Sequence, residues 1–262
     1  MKRFFAIIIT GLLTGLAFGQ SMQLDWQELP SLPDPIGVAG PFVGVHNDVL
    51  LVAGGANFPT PVWENDKVWR AQVFVVTRTG EEFTSQEIAT TLPKPMAYGA
   101  AVSTKKGVVC IGGNNGDEFY SDVFRMEWVA EKSEVRFTKL PSLPKPCAYG
   151  QATLIGNTIY LAGGQSQSDL SSAMKNFWSL DLSQEGNDED FRWIDHPAWP
   201  GFPRAFNLTV AQHNGYDSCV YVMSGRRQER AALNKLPVRG GGTPESLELR
   251  RRADEVVLKE GK

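Results

Sequence analysis

Asn57, Asn114 and Gln165 each stand just beyond a glycine pair, and Asn115 extends the second of these positions. An amide offers a donor and an acceptor together, which suits sugar hydroxyls; the same groups also cap local turns. The stretch after the first glycine pair carries two carboxylates, Glu64 and Asp66. Either could exchange protons with a bound hydroxyl or stand solvated in its loop. Tyr98 and Tyr149 begin equivalent strands and could line a ligand or pack among themselves. Arg226 follows the last glycine position, and a planar guanidinium matches a carboxylate. Together these side chains could line one ligand site, provided that something brings them to one place.

The spacing of the glycines supplies that element. Gly54-Gly55, Gly112-Gly113, Gly163-Gly164 and a degenerate Ser224-Gly225 lie 58, 51 and 61 residues apart. A proline-rich marker precedes each: "LPSLPDP", "TLPKPMAYG", "LPSLPKPCAYG" and "HPAWPGFPRAF". In the middle two repeats Pro95 and Pro146 lie 17 residues before the pair. Each repeat reads as four short strands, in the second "AYGAAVST", "GVVCIGG", "SDVFRMEWV" and "VRFTKLP". Two markers in phase at a period near fifty predict an all-β, kelch-type β-propeller of four-stranded blades. Blade geometry then puts the post-glycine loops and the proline loops on one face, where ligands of propellers gather. The hairpin turns with His46, Asn47, Asn157, His213 and Asn214 fall on the other face and read as turn residues.

Composition narrows the partners. Residues 20–225 carry 14 basic and 23 acidic side chains, which argues against nucleic acid. Three histidines and three scattered cysteines make no metal site, so neither a metal nor a cofactor is expected. A copper oxidase, which also uses this repeat, is disfavoured on that ground, with His46, His196 and His213 the whole supply of imidazoles. Cys110 and Cys219 sit in apolar strands and are expected to be buried. Residues 1–19, with Lys2 and Arg3 before an apolar run, read as a signal peptide cleaved before Gln20. The run is short for a membrane span, so the expected location is periplasmic or secreted, with no membrane attachment after cleavage.

About three and a half blades are legible, with "DWQELPSLP" as an outer strand of a further one. Residues 20–225 are the partial propeller. Residues 226–262 carry 10 basic and 6 acidic side chains without an aromatic and read as a divergent, charged tail. A truncation or frame change is the expected origin.

The residues "DPIGVAGPFVGVHNDVLLVAGGANFP", with "MAYGAAV" and "GGNNG", resemble the kelch-type sialate mutarotases, also called N-acetylneuraminate epimerases. The likeness is nearest to their circularly permuted branch and covers about residues 25–228. "GVAGPFVG" followed by "AGGANFP" is its specific part. The resemblance implies a six-bladed exported propeller whose partner is a small-molecule sugar, sialic acid, and whose reaction interconverts its α and β anomers. It also implies a catalytic Glu and Arg in the loop that here begins "SGRRQER". Arg226 holds the glutamate's place, with Glu229 three residues on. Arg226 and Glu229, with Glu64 from the long loop after the first glycine pair, are the catalytic candidates, and impaired activity is expected. The alternative is a kelch module that binds a glycan or a protein without chemistry.

Overall fold

The computed structural model describes residues 26–227, which form consecutive antiparallel sheets with no α-helix among them. The first blade comprises β1 (Phe42–His46), β2 (Val49–Ala53), β5 (Val73–Thr79) and β6 (Glu82–Ile88). Two short strands, β3 (Ala56–Asn57) and β4 (Val68–Trp69), pair in the loop between β2 and β5. The second blade is β7 (Ala100–Thr104), β8 (Gly107–Ile111), β9 (Val123–Val129) and β10 (Glu134–Lys139). The third is β11 (Gln151–Ile155), β12 (Thr158–Ala162), β13 (Phe177–Asp181) and β14 (Ile194–Asp195). A hairpin of β15 (Leu208–His213) and β16 (Ser218–Met223) begins a fourth. The four strands expected of the second repeat thus all form. "DWQELPSLP" does not: residues 26–33 contain no strand, since the inner strands it would pair with are absent from the described residues.

The apolar runs of the second strands follow from burial on both sides. Along β8, Val108 and Cys110 pack towards the first blade with Phe42, Leu51, Phe124 and Met126. Val109 and Ile111 point the other way, into a second core with Ile159, Leu161 and Trp178. A strand buried on both faces has no use for alternating polarity. At the ends of the arc the same faces are bare. Val43 and Val45 on β1, and Leu208, Val210, Tyr221 and Met223 on β15 and β16, are all exposed. Cys219 on β16 is accordingly only half-buried, a departure from the expectation; Cys110 and Cys147 are fully enclosed.

The glycine pairs join one blade to the next. Gly112 (φ +63°) and Gly113 (φ +106°) both occupy conformations that side chains resist. A Cβ on Gly112 would collide with the carbonyl of Cys147, and one on Gly113 would lie 2.9 Å from the carbonyl of Ala97. With both clear, the Gly113 N–H donates to Cys147 O at 2.8 Å, fastening the second blade to the third. Gly55 donates likewise to Met96 O, and Gly164 to Arg204 O.

Candidate active site

The elements entering each blade converge on one face. Ala39, Ala97, Ala148 and Ala205 form bridges with Ala56, Asn114, Gln165 and Arg226, so each proline loop is tied to its own post-glycine loop. The next residue in each repeat is Gly40, Tyr98, Tyr149 or Phe206, and all four adopt φ between 58° and 63°. For an aromatic residue this left-handed backbone is strained and persists only where the surroundings enforce it. A relay of backbone hydrogen bonds does so. Tyr98 N–H donates to Gly40 O, Tyr149 N–H to Tyr98 O and Phe206 N–H to Tyr149 O, each at 2.7 Å. The side chains stack along the same arc, with centroids 5.0 Å apart for Tyr98 and Tyr149 and 4.4 Å for Tyr149 and Phe206. Gly40 opens the first position, because a Cβ there would strike the Tyr98 ring.

Cations stand at both ends of this aromatic arc. The Arg226 guanidinium lies over the Phe206 ring, 4.9 Å from its centroid. At the other end the Lys67 ammonium donates to Tyr98 Oη at 2.7 Å and sits 4.7 Å from the centre of that ring. Phe58 and Trp69 flank it at 5.6 Å each. A cavity of about 640 Å³ opens here, with Val38, Asn57, Phe58, Lys67 and Tyr98 among its walls.

The amides divide into two groups. Asn57 is spent on the scaffold: its Nδ2 donates to Gly37 O, and its Oδ1 accepts from Arg70 Nε. Asn115 Oδ1 accepts the backbone N–H groups of Asp117 and Glu118, which is local turn capping. Asn114 and Gln165 are buried and only half satisfied. Asn114 Oδ1 accepts from Gly116, yet its Nδ2 has no partner; Gln165 Nε2 donates to Gln167 O, yet its Oε1 has none. An enclosed donor and an enclosed acceptor are thus left without a protein partner in equivalent loops, a departure from the usual pairing of buried polar atoms. Glu64 and Asp66 are exposed on the first loop, and Glu64 engages the protein through its backbone N–H to Pro61 O. Glu229 lies outside the described residues, as do residues 1–25, on which the expected signal peptide falls, and the rest of the tail beyond Arg227.

Sequence reasoning passed over Lys67 and Phe206. "RAFN" is the fourth copy of "MAYG" and "CAYG", so the register of the repeat marks Phe206. Lys67 follows Asp66 in a loop that also carries Phe58 and Trp69, a cation among aromatics.

The opposite face holds charge of another kind. Arg125 reaches Glu127 at 2.8 Å and Glu185 of the third blade at 2.9 Å, while Glu127 also pairs with Arg136 and accepts from Thr138 Oγ1. Burial would raise the Glu127 carboxyl, but hydrogen bonds from Arg136, Arg125 and Thr138 outweigh it and hold the pKa at about 2. His46 is more than a turn residue: its Nδ1 accepts the Trp128 N–H across the blade boundary at 2.9 Å. Burial lowers its pKa, the Glu127 charge partly opposing. These groups are paired with one another and join blades.

No family model matches the chain. The N-acetylneuraminate epimerase of Vibrio cholerae is 34% identical over 127 residues, which is 44% of this chain and 33% of that protein. That of Yersinia enterocolitica is 31% identical over 132 residues, 43% and 32% of the two chains. That of Brucella suis is 34% identical over 122 residues, 39% and 30%. The chain spans about a third of the length of these relatives. A solved structure titled "Structure of YjhT" superposes on 73% of this chain and 61% of its own with a TM-score of 0.58, at 12% identity, which is a likeness of fold. Over the matched stretch this chain is similar to the N-acetylneuraminate epimerases, and its sheets form an open arc of a kelch-type β-propeller.

Proposed function

We propose that the loop face binds N-acetylneuraminate and that the protein is a sialate mutarotase, weak in this chain, which exchanges the α and β anomers. The observation that carries this reading is the aromatic arc, strained into place and bracketed by Lys67 and Arg226. The names of the matched relatives support it. Mutarotation breaks the bond between the anomeric carbon and the ring oxygen. The anomeric hydroxyl gives up a proton, the ring oxygen takes one, and the open keto form recloses on either face. Each transfer needs a group within about 3 Å of its oxygen. In this reading aromatic faces hold the sugar, and the unpartnered amide atoms of Asn114 and Gln165 lie enclosed in the loops beside them.

Arg226 stands where the resemblance expects a catalytic carboxylate, and this is the reason to expect weak turnover. Among the described residues no acidic side chain hydrogen-bonds to Lys67, Tyr98 or Tyr149, which favours a second reading, sugar binding without chemistry. Proton NMR of freshly released α-N-acetylneuraminate separates the two. Faster conversion to the β anomer supports mutarotation; saturation transfer to the sugar with an unchanged rate supports the binding module. An exported location, periplasmic or secreted, accompanies the proposal and rests on residues 1–19. N-terminal sequencing of protein isolated from the native cell is expected to begin at or near Gln20, whereas an intact Met1 on cytosolic protein would overturn export.

A further inference from the structure

We infer that Lys67 is the residue that selects for an acid: it receives the carboxylate of the sugar and seats the adjoining anomeric carbon beside Tyr98. The inference rests on the sugar-binding reading above. Lys67 is half-buried, and among the described residues it has no carboxylate partner. By contrast Lys94, likewise half-buried, reaches Asp122 at 2.9 Å, and even the exposed Lys106 reaches Glu185 at 2.7 Å. A partly enclosed ammonium without a counter-charge is poorly compensated, and three ring faces about it hold its position without neutralising it. Of its three N–H groups one is assigned to Tyr98 Oη, and the others remain for a ligand at the cavity of about 640 Å³. That volume lies in the range of small-molecule sites.

The chemistry of the ligand follows from the geometry. In a 2-keto sugar acid the carboxylate is bonded directly to the anomeric carbon. A carboxylate on Lys67 Nζ therefore brings the anomeric oxygens to the neighbourhood of Tyr98 Oη, which lies 2.7 Å from that nitrogen. The phenol accepts from Lys67, so its own proton is free to be directed at the sugar. A neutral aldose has no group for this position. Lys67 is thus a specificity and positioning residue.

The test compares binding of N-acetylneuraminate and its C1 methyl ester to the full chain, by isothermal titration, in wild type, Lys67→Met and Lys67→Arg. Wild type is expected to prefer the acid by roughly tenfold to a hundredfold, the span of a charge-assisted hydrogen bond. Lys67→Met is expected to bind acid and ester alike, and Lys67→Arg to regain most of the preference. An unchanged acid preference in Lys67→Met, or none in wild type, overturns the inference. The same samples are followed for mutarotation. A Lys67-dependent preference with no acceleration supports the inference while bringing down the mutarotase reading. Acceleration of the acid that survives intact in Lys67→Met, with its preference, does the reverse.

Discussion

At the scale of single residues, what separates a structural from a ligand-facing side chain is whether its polar atoms are already engaged. Asn57 and Asn115 are engaged by the scaffold; Asn114 and Gln165 each keep one enclosed atom open. Tyr149 stacks between Tyr98 and Phe206 while its backbone is held left-handed. Asn tolerates that conformation, so Tyr149→Asn should keep the turn and lose the ring. We expect it to fold while binding N-acetylneuraminate roughly tenfold more weakly by isothermal titration, the scale of one aromatic contact. Unaltered affinity would remove the arc from the site. The cysteines test burial in the same way. Burial pushes the Cys147 thiol up to about 12 and Cys110 well above its usual range, while Cys219 is half-buried at the open end. In native protein one thiol, Cys219, should react with a thiol reagent ahead of the other two; rapid labelling of Cys110 would contradict the packing of β8.

At the scale of elements, the blades are joined by glycine pairs on one face and by charge on the other. Gly112→Ala would force a side chain towards Cys147 O in a left-handed backbone. A loss of about 2–4 kcal/mol in chemical denaturation is expected, and a change below about 0.5 kcal/mol would mean that the joint is not needed. The opposite face predicts an acid-sensitive fold. The folded pKa of His46 is lowered from 6.5, so its contribution is present above 6.5 and is lost as pH falls from there through the lowered value. Glu127 is lowered from 4.5 to about 2, so its contribution is present above 4.5 and fades as pH falls towards about 2. Urea midpoints should thus fall in two stages, the first absent in His46→Phe and the second reduced in Glu127→Gln. Equal midpoints from pH 8 to about pH 5 would contradict the first assignment, and equal midpoints from about pH 5 down to about pH 2 the second.

At the scale of the whole molecule, the repeats were legible because glycine and proline report backbone geometry locally. The phase of Gly54, Gly112 and Gly163 needs no knowledge of the neighbours. The site was less legible because it is made by neighbours. Lys67 matters through Tyr98, some thirty residues away, and Phe206 through Tyr149, across a blade boundary. Tyr98 and Tyr149 were singled out by their equivalent places, but their left-handed backbone and stacking appear only when blades are assembled. The exposed apolar faces of β1 and β15 likewise follow from the open arc and from nothing local.

The central claim is that this arc recognises sialic acid and turns it over weakly. It is tested most directly by proton NMR of α-N-acetylneuraminate with equimolar protein. The account predicts saturation transfer to the sugar and conversion to the β anomer above the spontaneous rate, but slower than by the matched epimerases by on the order of a hundredfold, a cost that misplaced groups can reach. A conversion rate equal to that in buffer, with no transfer of saturation to the sugar, would contradict it.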